Sequence, residues 1–341
     1  MTAAAGVRRP DLVAVAGELA EQVLFPASLS TDASVLLPAA LLDALAAAGL
    51  YGLSTPASLG GADADPATVG AVVEVLASGC LTTTFVWLQH LSASATVARA
   101  EGPAHTDWAG ALARGERRAG VAFAHLRRPD PPTLTARPDG DDWVLDGVAP
   151  WLTGWGRIDV AVVGARHGDE VVWLLVDPVG GPTLHADVLP LAALGASGTV
   201  TLRCDGHRVT GRRMAVTERL TDWQARDGLG LRTNGSLALG VTRRCVDLLG
   251  HPALGAELDL ARVALDGATI DTVAEARAAA CTLAVRAAAA VVAAAGGRGV
   301  GRDHHGQRLA REAMFLLVQG QTPAIRRHLL TGLTKGWPPP G

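Results

Sequence analysis

Hydrophobic spacing divides the chain into three parts. In the first, apolar residues recur every three or four positions, as in Leu12–Leu24 and Thr82–Ala100, a period typical of amphipathic helices. In the middle part they form short runs such as Val171–Val176, bounded by glycine-containing turns, and this pattern predicts strands. Helical spacing returns after about Leu220. We therefore predict an N-terminal all-helical domain (1–117), a central β domain (118–217) and a C-terminal helical domain (218–335).

The order of helices, strands and helices indicates an α+β fold. Six short β-type runs fall within about ninety residues, and no helical pattern separates them. They predict a small antiparallel sandwich or barrel. The C-terminal part is predicted to be a four-helix bundle with helices over Trp223–Leu249, Thr272–Ala295, Gln307–Val318 and Ala324–Leu333.

Composition narrows the function classes. Of 341 residues, 49% are hydrophobic and 18% charged, and the formal net charge is −3, so a nucleic-acid-binding surface is not expected. The four cysteines form no CxxC pair, which disfavours a zinc site or a disulfide framework and favours a cytoplasmic location. The stretch Ala278–Ala295 is apolar but mostly alanine and is interrupted by Arg286. We expect a buried bundle helix there and no membrane association.

Two motifs suggest binding of a planar cofactor that carries phosphate. Trp151-Leu152-Thr153 places an aromatic ring two positions from a hydroxyl, so the ring can cover a heterocycle while the hydroxyl meets its edge. An isolated Trp-x-Thr is also compatible with a core tryptophan. Gly296, Gly297 and Gly299 follow a long helix and can expose backbone amides to phosphate oxygens. A helix C-cap would explain one of these glycines but not three.

In this order, the motifs resemble those of the acyl-CoA dehydrogenase family, and the likeness runs over most of the chain. The resemblance implies that Trp151 lies against the isoalloxazine of FAD and that the Thr153 hydroxyl bonds its N5 edge. It also implies that Gly296, Gly297 and Gly299 meet the FAD of a neighbouring subunit. Gln319-Gly320-Gln321-Thr322 aligns with the family's "YEGT", which makes Thr322 a further cofactor-binding candidate.

The resemblance implies substrates and partners as well. We expect an acyl-CoA or acyl-carrier thioester as substrate, and an electron acceptor protein or oxygen as the oxidant. Because the family's cofactor site spans subunits, a homodimer or homotetramer is expected, or a hetero-oligomer.

The family's catalytic residues are missing. Dehydrogenation of a thioester needs a base for the Cα proton, and the glutamate of "YEGT" is replaced here by Gly320. In some relatives the glutamate lies on the first helix of the last domain, but the matching segment Asp227–Arg232 offers only Asp227. The flavin-binding "tEp..GSD" segment is replaced by Ala124–Pro129, and the "R..FG" motif is not visible between Gly250 and Thr272. The catalytic residue is therefore unknown.

Several titratable side chains are weaker candidates. His90 is compatible with the ligand cavity or with a satisfied position in the core, and His125 and Arg127 could bind a polar or anionic group. His304 and His305 are best interpreted as part of a solvated loop. None of them is assigned a catalytic role.

Three functions remain open at this point. The first is FAD-dependent dehydrogenation of an acyl thioester or a related small molecule. The second is a flavin monooxygenase of the same fold, which uses reduced flavin and oxygen and needs no Cα base. The third is a catalytically silent subunit that pairs with an active homologue.

Overall fold

The computed structural model describes residues 11–127, 131 and 133–335. Its first part is helical, as predicted. A π-helical turn, Ala20–Leu24, joins the first two helices into one rod, and Pro26 follows this turn at the start of the second helix. The helices are α1 (Leu12–Leu19), α2 (Phe25–Asp32), α3 (Ala39–Ala47), α4 (Pro66–Gly79), α5 (Leu81–Ala98) and α6 (Pro103–Ala113).

The central part is one eight-stranded sheet, ordered β6-β7-β3-β2-β4-β5-β8, with β1 paired to β4. Most neighbouring strands are antiparallel, as expected, but β1 runs parallel to β4 and so does a one-residue contact of β2. The sheet is therefore mixed. Its strands are β1 (Ala119–Ala122), β2 (Leu134–Asp139), β3 (Asp142–Leu152), β4 (Val160–His167), β5 (Glu170–Val176), β6 (Leu184–Val188), β7 (Val200–Val209) and β8 (Met214–Arg219).

Strand β4 shows why the sheet is buried on both faces. Side chains of β4 point alternately to the two faces of the sheet. Ala161 and Val163 belong to an apolar cluster formed by residues of the other strands, while Val160 and Val162 face α5 and α6. A strand covered on both sides is apolar at consecutive positions. The same alternation in β5 accounts for the uninterrupted apolar run Val171–Val176 seen in the sequence.

The C-terminal part contains five α-helices within the described residues. The four expected helices are present, and an additional helix, α8, lies between the first two. They are α7 (Leu220–Leu249), α8 (Pro252–Asp266), α9 (Val273–Ala295), α10 (His305–Leu316) and α11 (Pro323–Leu333).

Helices α4 and α7 join the two helical parts. A β-carbon on Gly240 would lie 2.4 Å from the Glu74 carbonyl oxygen, so the close crossing of the helices requires glycine there. The buried Arg244 guanidinium donates to the Ser78 carbonyl oxygen (2.8 Å), which fixes the same crossing. The N-terminal and C-terminal helical parts are thus packed directly against each other.

Two segments, Leu12–Asp32 and Val273–Val300, are long and apolar enough to cross a membrane, judged by length and composition alone. The core helix of a globular protein meets the same criteria, so this is weak evidence. Within Val273–Val300, the residues Ala280, Ala284 and Ala288 are fully buried.

Candidate functional site

A cavity of about 1370 Å³ lies where α5, β1, β3, α7 and the turn between α10 and α11 meet. Small-molecule sites usually occupy about 300–1,000 Å³, so this cavity can hold a bulky cofactor together with part of a second ligand. Its walls combine apolar side chains with amides and arginines. Representative lining residues are Phe85, Leu88, Phe123, Trp151, Trp223, Asn234, Phe315, Gln319, Gly320, Thr322 and Arg326.

Trp151 lies in the cavity wall and is 44% exposed. Its φ angle is 67°, and the register of β3 against β7 shifts between Ala149 and Leu152. Bulges of this kind re-aim a side chain at the end of a strand. Strand β3 therefore presents the indole to the cavity and does not bury it in the sheet.

Thr153 is placed differently from Trp151. Its side chain is buried, and its hydroxyl shares a 2.9 Å hydrogen bond with the Thr199 hydroxyl, which in turn contacts the Ser197 hydroxyl at 2.7 Å. Thr153 does not belong to the described cavity wall. Its hydroxyl serves a hydrogen-bond chain inside the protein.

The turn between α10 and α11 forms the opposite wall. Gly320 adopts φ 55°, a left-handed conformation that favours glycine, and its carbonyl oxygen accepts from Nη1 of Arg277 at 3.1 Å. Thr322 caps α11, because its hydroxyl accepts from the Ile325 N–H at 3.3 Å. Both residues line the cavity.

Replacing Thr322 with alanine should lower the free energy of unfolding by about 1 kcal/mol, because the α11 N–H loses its cap. Thr322→Ser retains the hydroxyl and should stay close to the wild-type value. Urea denaturation of both variants would measure the difference. An Ala variant as stable as the Ser variant would contradict the capping role.

Arg127 and Asp227 form the main ion pair of the cavity. Nε and Nη2 of Arg127 each donate to one carboxylate oxygen of Asp227 at 2.7 Å. In the described part of the wall Asp227 is the only carboxylate, whereas Arg326 and Arg327 add positive charge. The cavity is therefore cationic overall, and its one carboxylate is engaged on both oxygens.

His125 has an unsatisfied ring nitrogen. Its Nε2 lies 2.7 Å from the Gly164 carbonyl oxygen, and burial lowers its pKa to about 4, so the ring is neutral at pH 7 with the proton on Nε2. Nδ1 is then a buried acceptor without a partner among the described residues. Because His125 lines the cavity, a ligand N–H or O–H can satisfy this atom.

Comparison with known proteins identifies the relatives of this architecture. Residues 10–116 match the model of the acyl-CoA dehydrogenase N-terminal domain. The human mitochondrial short-chain specific acyl-CoA dehydrogenase is 28% identical over 156 residues, which cover 43% of this chain and 37% of that protein. The chain thus matches less than half of the length of this relative.

Two solved structures share the fold over nearly their whole length. Butyryl-CoA dehydrogenase from Megasphaera elsdenii superposes with a TM-score of 0.81 at 17% identity, covering 98% of this chain and 99% of that one. Glutaryl-CoA dehydrogenase from Mycobacterium smegmatis, in complex with FADH2, gives 0.79 at 19% identity, covering 95% and 94%. The N-terminal part of this chain thus matches the acyl-CoA dehydrogenase family, and the chain shares the fold of these solved dehydrogenases.

Acyl-CoA dehydrogenase motifs occupy two separate regions of this chain. Trp151, Gly320 and Thr322 line the same cavity, and no side chain occupies the position of the family glutamate. The glycine run lies elsewhere, at the end of α9. Gly296 and Gly297 are exposed there, while a β-carbon on the buried Gly299 would lie 2.7 Å from the Val292 carbonyl oxygen.

The histidine candidates fall outside the cavity apart from His125. His90 is a core residue: its Nε2 lies 3.1 Å from the Leu112 carbonyl oxygen, and its Nδ1 accepts from the Ala119 N–H at 3.0 Å. His305 stacks on Phe25 with ring centroids 4.5 Å apart. Residues 128 and 129 of the substituted flavin segment lie outside the described residues.

Sequence reasoning missed Arg277. This side chain is 1% exposed and contacts both Gln319 and Gly320, although it lies outside the motifs that resemble the family's. A signal was available, since Arg277 immediately precedes the alanines Ala278–Ala280 of the apolar helix α9. A charge inside an apolar helix requires a partner in the fold.

Proposed function

We propose that this chain binds FAD and an acyl thioester in the cavity and acts as a flavin-dependent oxidoreductase. The observation that carries the proposal is the position of the Trp151 indole, which is exposed to a cavity large enough for a bulky cofactor and part of a second ligand. Similarity to the acyl-CoA dehydrogenase family supports both ligands.

The residues of the cavity are compatible with FAD. An isoalloxazine ring has a flat face that Trp151 can cover and a ring N–H that can donate to the orphan Nδ1 of His125. The exposed Gly296 and Gly297 would meet the cofactor of a second subunit, which implies a homodimer or a larger assembly. When bound, the flavin supplies two-electron redox chemistry.

Thr153 departs from the family pattern in this proposal. Its hydroxyl is hydrogen-bonded to that of Thr199. We therefore propose that Thr153 stabilises the end of β3 next to Trp151 and does not bind the flavin. Flavin retention then depends on the indole and on His125. A cytoplasmic location is part of the same proposal.

The proton chemistry differs from that of the family's main branch. A dehydrogenation needs a base, and Asp227 would have to separate from Arg127 to serve as one. An oxygen-dependent reaction of reduced flavin does not need this step. Because Gly320 has no side chain, the proposed flavin site lacks the carboxylate that the family's glutamate would supply.

A silent partner subunit is the second candidate, and the engaged Thr153 hydroxyl favours it. In that case the chain would supply an interface and half of a cofactor site to an active homologue. The chain alone would then retain no FAD.

Flavin uptake by the purified chain tests the proposal. We expect the protein to take up FAD and to show flavin absorption after gel filtration. Anaerobic addition of butyryl-CoA then separates the reactions, because bleaching reports dehydrogenation. Oxygen consumption that requires an added reductant indicates a monooxygenase. A colourless protein that takes up no FAD would refute the enzyme and support the silent subunit.

A further inference from the structure

Two guanidinium groups converge on the empty side-chain position of Gly320. A β-carbon there would lie 3.3 and 3.4 Å from Nη1 and Nη2 of Arg277, and 3.5 Å from Nη1 of Arg127. Both guanidiniums therefore border the side of Gly320 that a longer side chain would cover, at close contact for Arg277 and ordinary contact for Arg127. We call this space, bounded by Gly320, Arg127 and Arg277, the arginine niche.

Arg277 has no carboxylate partner among the residues that the structure describes. Its Nη atoms donate to the carbonyl oxygens of Gln319 and Gly320 and to Oε1 of Gln319, while its Nε is buried without a hydrogen-bond partner. Carbonyl dipoles solvate the guanidinium but do not neutralise it. Isolated buried charges are costly, so a side chain that is 1% exposed is expected to have an anionic partner.

Arg127 contributes the second half of the niche. Its Nε and Nη2 are bound to Asp227, while Nη1 has no hydrogen-bond partner in the described ranges and points to the niche at 3.5 Å from the Gly320 β-position. Asp227 balances the charge of Arg127 and leaves that of Arg277 unbalanced. The niche therefore has a net charge near +1 and unused N–H donors on both arginines.

We propose that the arginine niche binds a carboxylate carried by the acyl group of the substrate, close to the thioester. The inference rests on the proposed function, because it requires the thioester to lie in the same cavity. Dehydrogenases of the family place a protein carboxylate at this position. Here the ligand brings the carboxylate, so the preferred substrates are short dicarboxylic acyl thioesters.

Two matched thioesters test the inference. Malonyl-CoA and propionyl-CoA have the same number of acyl carbons and differ in the terminal carboxylate. Isothermal titration of the FAD-loaded full chain should show malonyl-CoA binding about tenfold to a hundredfold more tightly, as expected for charge-assisted hydrogen bonds from two guanidiniums. Equal affinity for the two would overturn the inference and leave the proposed function standing.

Substitutions on α9 assign any preference to the niche. Arg277→Met should reduce the ratio of the two affinities to within about threefold, and Arg277→Lys, which keeps the charge, should retain part of it. Arg286→Met is the matched control, since Arg286 is exposed on the same helix and pairs with Glu257. A ratio unchanged in a folded Arg277→Met protein would overturn the inference.

Gly320 provides a route that does not depend on removing a buried arginine. Gly320→Glu places a protein carboxylate beside both guanidiniums and should abolish the malonyl preference, while Gly320→Gln imposes the same bulk without the charge. Persistence of the preference in Gly320→Glu would count against the niche. If FAD-loaded protein bound neither thioester, the proposed function would fail, and this inference with it.

Discussion

Replacing Trp151 with alanine is expected to weaken FAD binding about tenfold to a hundredfold. The indole is 44% exposed, so a flat ligand ring that covers it buries roughly half of an aromatic side chain. Full burial of such a side chain contributes about 1.5–3 kcal/mol, and stacking geometry adds about 0.5–1.5 kcal/mol. Burial of about half of the ring, together with stacking, gives a free energy of binding that corresponds to the tenfold to hundredfold change in FAD affinity. Fluorescence titration of the apoprotein with FAD would measure it.

Two control variants separate this effect from a change in folding. Trp151→Phe keeps an aromatic face and should lose much less affinity. Trp143→Ala removes a tryptophan from the same strand, but that ring packs edge-on against His167 at 5.5 Å and lies outside the described cavity wall. Wild-type FAD affinity in Trp151→Ala would show that the indole is not the flavin platform.

The Trp151 variants should change stability little. The ring is half exposed, and the backbone has a positive φ that L-residues adopt at a cost. Trp151→Gly should therefore weaken FAD binding while leaving the melting temperature of the apoprotein near or slightly above that of wild type. This pairing of lost affinity with retained stability is typical of a residue held in place for binding.

The elements predicted from sequence are those with a strong burial pattern. Strand β5 and helix α9 were predicted because nearly every position is apolar. Strands β6 and β8 were missed because they are the two ends of the sheet order, and edge strands carry exposed polar residues such as His185 and Thr217. Helix α8 was missed for a similar reason: Leu258 and Leu265 are its only fully buried residues within the described structure.

The candidate site was predictable where a local motif carried it. Trp151 and Gly320 came from short motifs, and both lie in the cavity wall. Thr153 was assigned to the flavin from the same motif as Trp151, and its contact with Thr199, which lies 46 residues away, leaves no local trace in the sequence. Arg277 was missed because its contacts with Gly320 connect positions 43 residues apart. Contacts of this range are set by the packing of α9 against the following turn.

Acid should destabilise the protein between pH 6.5 and about 4, and this is the largest effect we expect. Burial lowers the pKa of both His90 and His125 from 6.5 to about 4. The unfolded chain then binds more protons than the folded one in this range, so the free energy of unfolding falls as the pH falls. Each histidine contributes roughly 1.4 kcal/mol per pH unit, or about 3 kcal/mol over the window. Two such histidines amount to much of a typical domain's stability of about 5–15 kcal/mol.

Urea denaturation at pH 6.5, 5.5 and 4.5 would measure the slope of the free energy of unfolding against pH. The hydrogen bonds of His90 indicate which substitution tests its contribution. Nδ1 of His90 accepts from the Ala119 N–H, so a proton on that nitrogen breaks the link between α5 and β1. His90→Gln can donate and accept without titrating and should reduce the slope by the share of one histidine, whereas the exposed His185→Gln should not change it. A slope that His90→Gln leaves intact would assign the acid sensitivity to other groups.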